Sequence, residues 1–110
     1  KRKINVSNVP YYGENTVAEH TFALILNLTR KIHQAWERTR RLDFSQKGLR
    51  GTDLRGKTLG VIGVGSIGKH VIRMAGGFEM NVIAFDILKD KKLEKKLKKL
   101  VIILMILKEE

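Results

Sequence analysis

The 110-residue chain has no cysteine and only one proline, Pro10. Without cysteine there is no disulfide framework, no thiolate metal site and no cysteine nucleophile. That composition agrees with a cytoplasmic setting. Long apolar runs are also missing. The longest, Leu100 to Leu107, has eight residues, far below the roughly 18 to 20 needed to cross a bilayer. No secretory leader pattern opens the chain, so no membrane partner is expected.

Acidic residues are scarce too, 11 against 22 basic ones, a formal net charge of +11. The basic side chains gather at residues 1 to 3, at Arg38, Arg40 and Arg41, and along Lys89 to Lys99. Such a balance raises the question of a polyanionic partner. Aromatic residues make up only 6% and do not interleave with the lysines. No zinc-finger, RNP or homeodomain pattern accompanies them. The charge therefore reads as solvated helix faces. A basic nucleic-acid-binding protein, or a corepressor-like one, is the alternative reading.

Hydrophobic residues, at 43%, are ample for the core of one domain or part of one. The most informative segment starts with an apolar run, Leu59 to Ile62, followed by Gly63-Val64-Gly65-Ser66-Ile67-Gly68. An amphipathic stretch then runs to Gly76-Gly77, and a second apolar run, Met80 to Phe85, ends on Asp86. Strand, G-x-G-x-x-G turn, helix, strand and terminal carboxylate in that order make a dinucleotide-binding unit.

Each position has a physical reason. Gly63 allows the tight turn out of the strand, Gly65 has no Cβ to hold a pyrophosphate away, and Gly68 lets helix and strand pack closely. The first N–H groups of the helix lack intrahelical partners and carry the positive end of its dipole, so a diphosphate is stabilised there without a lysine. Ser66 and Ile67 form that first turn and should touch the diphosphate or its ribose. Asp86 lies 18 residues past Gly68, near the offset of about 20 expected for the acid that accepts from the adenosine ribose. A carboxylate there favours NAD over NADP, whose 2′-phosphate would face it with like charge.

Elsewhere, Ile4 to Val6 reads as a short strand, followed by a loop punctuated by Pro10 and Gly13. One long helix is expected from about Thr16 to Arg41. Thr16-Val17-Ala18-Glu19 has the form of a capping box, and Val17, Leu24, Ile25, Leu28, Ile32, Ala35 and Trp36 line one apolar face. Ala23 and Leu26 lie off that face, so the helix is apolar around much of its circumference and should also meet a partner subunit. Residues 42 to 57, with Gly48, Gly51 and Gly56, read as a connecting loop. Gly77-Phe78-Glu79-Met80 reads as a turn. Lys89 to Lys99, with Leu93, Leu97 and Leu100, reads as a basic amphipathic helix. The closing apolar run fits either a strand or a helix end.

From Asn8 to Asp86 the chain resembles the D-isomer-specific 2-hydroxyacid dehydrogenases. The resemblance rests on Asn8-Val9-Pro10, Tyr12-Gly13, Asn15 to Thr21, Gly48-Leu49-Arg50-Gly51, Asp53-Leu54, Gly56 to Gly60 and the glycine hexamer. The local texture is most like the D-lactate dehydrogenases. The resemblance implies an α/β fold, a partial Rossmann-like NAD-binding domain made of a long hinge helix and a β-α-β unit, with an incomplete parallel sheet. Residues 1–9 would end a substrate-domain strand and form the hinge, and residues 10–110 would be the N-terminal part of the NAD domain.

It also implies hydride transfer between NAD and the CH–OH group of a 2-hydroxy acid, and a homodimer formed through the Thr16 to Arg41 helix. Tyr12 would stand near substrate and nicotinamide; a tyrosine packing a loop onto the helix is the other reading of it. The family's catalytic histidine, glutamate and arginine would lie downstream of Asp86. His20, His33 and His70 do not stand in for that histidine, so no catalytic or metal-binding residue is expected here and the chain alone should be inactive. After about Leu97 the tail diverges. Leu-Asp-Asp-Ile codons read one base later give Leu-Met-Ile, the residues at Leu104-Met105-Ile106, so a frameshifted tail is expected.

Overall fold

A computed structural model describes residues 3–86 and, as backbone alone, 101–103. Helix α1 spans Glu14–Thr29 and α2 Ile32–Arg40; strand β1 spans Thr58–Ile62, helix α3 Ser66–Gly77, strand β2 Asn81–Phe85 and strand β3 Val101–Ile103. The strands form a parallel sheet in the order β1-β2-β3. Thr58 to Ile62 pair with Asn81 to Phe85, and Val82 to Ala84 with Val101 to Ile103. This is the β-α-β unit expected from the glycine motif, extended by one strand. The closing apolar run, for which strand and helix were both open, is a strand at residues 101–103.

The sheet has one buried face. Along β1 and β2, Val61, Val82 and Ala84 turn inward, while Ile62 and Ile83 are exposed, the alternation that period-2 side chains impose. The inward residues pack with Val71, Ile72 and Ala75 of α3 and with Ala18 and Phe22 of α1 in a single cluster. Ala18 and Ala75 are fully buried; their small side chains let α1 lie close on α3. The Phe22 and Phe78 rings stack at 5.1 Å and 11°, closing one end of the cluster. Parallel sheets are ordinarily covered on both faces; among the described residues, helices cover one face of β1 and β2.

Four expectations need correction. Ile4 to Val6 is not a strand: these residues are exposed, and among the described residues they have no partner strand whose ladder would hold them. The single long helix is two, broken at Arg30-Lys31. Lys31 takes a left-handed φ of 57°, and the loop at residues 51–53 holds the break from outside. The Thr52 amide donates to the Thr29 carbonyl at 2.8 Å, and Arg30 pairs with Asp53. A Cβ on Gly51 would stand 2.5 Å from that same carbonyl, so glycine is needed for the loop to come this close.

The capping box does not form. Helix α1 starts two residues before Thr16, after Gly13 at φ 72°, and Glu19 instead accepts from the Asn15 amide one turn earlier. The apolar face was also misassigned. The side of α1 that meets the core carries Ala18 and Phe22, with Ile25 and Leu26 beside them. Val17, Leu24, Leu28, Ile32 and Trp36 are exposed. The basic helix expected over Lys89 to Lys99 and, apart from the backbone of residues 101–103, the divergent tail after about Leu97 lie outside the described residues.

Glu79 adopts the left-handed backbone expected of a turn glycine, with φ 54°. Its carboxylate accepts from Arg55 Nε at 2.8 Å. Among the described residues no helix is long and apolar enough to cross a membrane.

Candidate functional site

The glycine turn grows directly out of the sheet. Beyond Ile62, the last residue of β1, the Gly63 amide still donates to the Phe85 carbonyl at 2.8 Å, which extends the ladder by one rung. Gly63 then turns the chain at φ 87°, a conformation that L side chains resist. Gly68 sits so close beneath the turn that an added Cβ would overlap the Gly63 carbonyl. Both glycines are therefore required by the fold of the chain itself.

Gly65 is different. Its φ of −68° suits any residue, and a Cβ there would meet nothing within 4 Å. Neither backbone strain nor internal packing calls for glycine at this position. The open space over its backbone would admit the diphosphate of a dinucleotide, and in this the residues fit that group. Gly65 is also the N-cap of α3 and makes no side-chain cap hydrogen bond. The first-turn N–H groups of Ser66, Ile67 and Gly68 thus point toward the cleft mouth without a capping side chain, as an anion site requires.

Asp86 closes the far side. It is half-buried, and its Oδ2 accepts from the Val64 amide at 2.5 Å. The acid at the end of β2 is thereby held against the turn that would cradle the diphosphate.

The turn opens on a cleft of about 540 Å³ lined on the opposite side by Asn8 to Tyr12 and by Glu14. Gly63, Gly65, Ser66, Ile67, Gly68 and Tyr12, all singled out from sequence, line one and the same cleft. Asp86 is not among the lining residues and is tied to the turn by its bond to the Val64 amide. Tyr12 is exposed, which does not fit a tyrosine packed between loop and helix. Asn8, Val9 and Pro10, expected only as hinge residues, line the cleft too. Tyr11, at φ 62°, and Glu14, the first residue of α1, also line the cleft. Their signal was Gly13, whose left-handed turn begins α1 and sets Glu14 at its positive end.

Among the described residues, the lining has no histidine, arginine or lysine. His20 and His33 are exposed on α1 and α2, and His70 contacts Arg73 at 3.0 Å on α3. No cluster of metal-ligating side chains occurs among the described residues. The arrangement suits the binding and orienting of a dinucleotide.

Comparison with known proteins agrees with this geometry. Residues 22–108 match the family model described as D-isomer specific 2-hydroxyacid dehydrogenase, NAD binding domain. A 2-hydroxyacid dehydrogenase homolog of Haemophilus influenzae is 47% identical over 91 residues, 83% of this chain and 28% of that protein. The D-lactate dehydrogenase of Escherichia coli is 46% identical over 83 residues, 76% of this chain and 25% of that protein. The structure of D-lactate dehydrogenase from Aquifex aeolicus complexed with NAD and lactic acid superposes with a TM-score of 0.74 at 39% identity, covering 80% of this chain and 27% of the other. The chain thus spans little more than a quarter of the curated relatives it matches. None of these resemblances supports a nucleic-acid-binding or corepressor-like protein.

Proposed function

Because the chain belongs to the D-isomer specific 2-hydroxyacid dehydrogenase family, through its NAD-binding domain, we propose that it is the cofactor-holding part of an oxidoreductase acting on a 2-hydroxy acid such as D-lactate. The observation that carries this is the cleft that Gly63, Gly65, Ser66, Ile67 and Gly68 line together, at the start of a helix that begins without a side-chain cap.

Bound there, NAD would supply the hydride acceptor at its nicotinamide ring. The chain's own residues bind and orient. Gly63, Gly65 and Gly68 shape the cradle, and the N–H groups at Ser66 and Ile67 hold the diphosphate. Asp86 accepts from the adenosine ribose and repels a 2′-phosphate. Tyr12, across the cleft, stands on the side where nicotinamide and the 2-oxo or 2-hydroxy acid would meet. In this reading residues 1–9 belong to the hinge and residue 10 opens the NAD domain.

The same proposal includes a cytoplasmic homodimer. It is supported by the apolar stripe of Val17, Leu24, Leu28, Ile32 and Trp36, which the chain itself leaves exposed. The DNA beyond the Asp86 codon tests the enzymatic reading. A continuation in any frame that encodes the family's arginine, glutamate and histidine supports it, and absence of all three from every frame contradicts it.

A further inference from the structure

The carboxylate of Asp86 does not wait in the cleft for a ribose. It is engaged with the turn itself, accepting from the Val64 amide at 2.5 Å with both groups half-buried. One residue earlier on each strand, the Gly63 amide donates to the Phe85 carbonyl at 2.8 Å. The second bond therefore continues the β1–β2 ladder by one rung, with a side-chain oxygen where a backbone carbonyl would otherwise stand. Val64 is the one residue with a side chain between the two glycines that open the turn, and that side chain packs against the core. The Gly65 carbonyl accepts from the Lys69 amide at 3.0 Å, so the turn is held on its helix side by these contacts and at its base by the Gly63 and Val64 bonds.

We infer that Asp86 is a positioning residue for the glycine turn: its bond to Val64 fixes the diphosphate cradle before any cofactor arrives, so that the ribose acceptor and the cradle work as one unit. A charge-assisted bond to a backbone N–H is among the stronger hydrogen bonds. Because the Val64 amide is partly buried, losing the acceptor also leaves a donor without a partner. Replacing Asp86 to admit a 2′-phosphate would then cost affinity at the diphosphate end as well, and a single substitution there would weaken NAD more than it improves NADP.

The inference rests on the NAD reading for its ligand but not for its first test. Amide hydrogen exchange of the ligand-free 110-residue chain should show Val64 protected at least about tenfold over an unstructured amide. The protection should persist in Asp86→Asn, whose amide oxygen still accepts, and be lost in Asp86→Ala while Val82 in β2 keeps its protection. An unprotected Val64 in the unaltered chain overturns the inference without recourse to any variant.

The second test uses 2′,3′-dideoxyadenosine 5′-diphosphate, which carries a diphosphate but no ribose hydroxyls for Asp86 to read. Asp86→Ala should bind it about tenfold more weakly than the unaltered chain, the loss of one strong hydrogen bond, and Asp86→Asn should bind it nearly as well. Equal binding by all three proteins refutes the positioning role. If Val64 is protected as described and no adenine nucleotide binds, it is the NAD reading that fails and the structural inference stands.

Discussion

A methyl group on Gly68 would overlap the carbonyl oxygen of Gly63, while one on Gly65 would meet nothing within 4 Å. Two glycines three residues apart thus differ: Gly68 is required for the packing of α3 on the sheet, and Gly65 is the one we propose for the ligand. Gly68→Ala is expected to destabilise the chain by about 1–3 kcal/mol, the usual cost of overpacking. Gly65→Ala should change stability by less than about 1 kcal/mol, since its backbone angles are open to alanine, yet weaken NAD binding. Thermal unfolding of both variants beside the unaltered chain checks this; equal destabilisation would contradict it.

Glu79 holds a left-handed φ of 54°, for which a Cβ costs about 1–2 kcal/mol. Its ion pair with Arg55 joins side chains that are 63% and 78% exposed, and such pairs contribute about 0–1 kcal/mol. Relief of strain should win. Glu79→Gly is expected to raise the melting temperature by a few degrees, on the scale of about 4–8 °C per kcal/mol for a domain of this size. The gain should grow at high salt, where the lost pair is screened. A lower melting temperature in high salt would show that the turn is not strained.

Leu24 and Leu28 are 53% and 68% exposed on the side of α1 away from the core. Leu28→Asp is expected to abolish homodimers with little change in helical circular dichroism, because the core residues Ala18 and Phe22 are on another face. Sedimentation velocity reads the outcome. A dimer that survives both Leu24→Asp and Leu28→Asp would place the interface elsewhere.

The cleft brings a tyrosine and a glutamate to the glycine turn, but no histidine or arginine among its described lining. Purified 110-residue chain mixed with NADH and pyruvate is therefore expected to show no loss of absorbance at the nicotinamide band above the protein-free rate. Measurable oxidation that disappears in Gly65→Val would mean that the chain carries a proton donor of its own.

The part of the fold that could be read in the sequence was the part set by local rules. Leu59 to Asp86 is such a segment: its apolar runs, glycines and helical period all agree, and strand, turn, helix and strand appear where expected. The helix break at Arg30-Lys31 has no glycine or proline to announce it. Its cause is 20 residues downstream, where Thr52 takes the Thr29 carbonyl and Gly51 permits the approach. The face of α1 was misread for a related reason. Alanine at position 18 counts little in an apolar pattern, yet it is fully buried because α3 needs a small residue there. In the site, the glycines and Asp86 follow from their spacing, whereas the Val64 bond depends on where two strands end and has no signature in the residues.

The account stands on the glycine turn as an NAD site, and an amide-resolved NMR titration tests it most directly. Unaltered chain is titrated with NAD and, separately, with NADP. The expected result is chemical-shift change concentrated at Gly63 to Gly68 and Asp86, saturating at lower concentrations of NAD than of NADP. Shifts that avoid the turn and gather instead at Arg38, Arg40 and Arg41, or equal affinity for the two nucleotides, would contradict it.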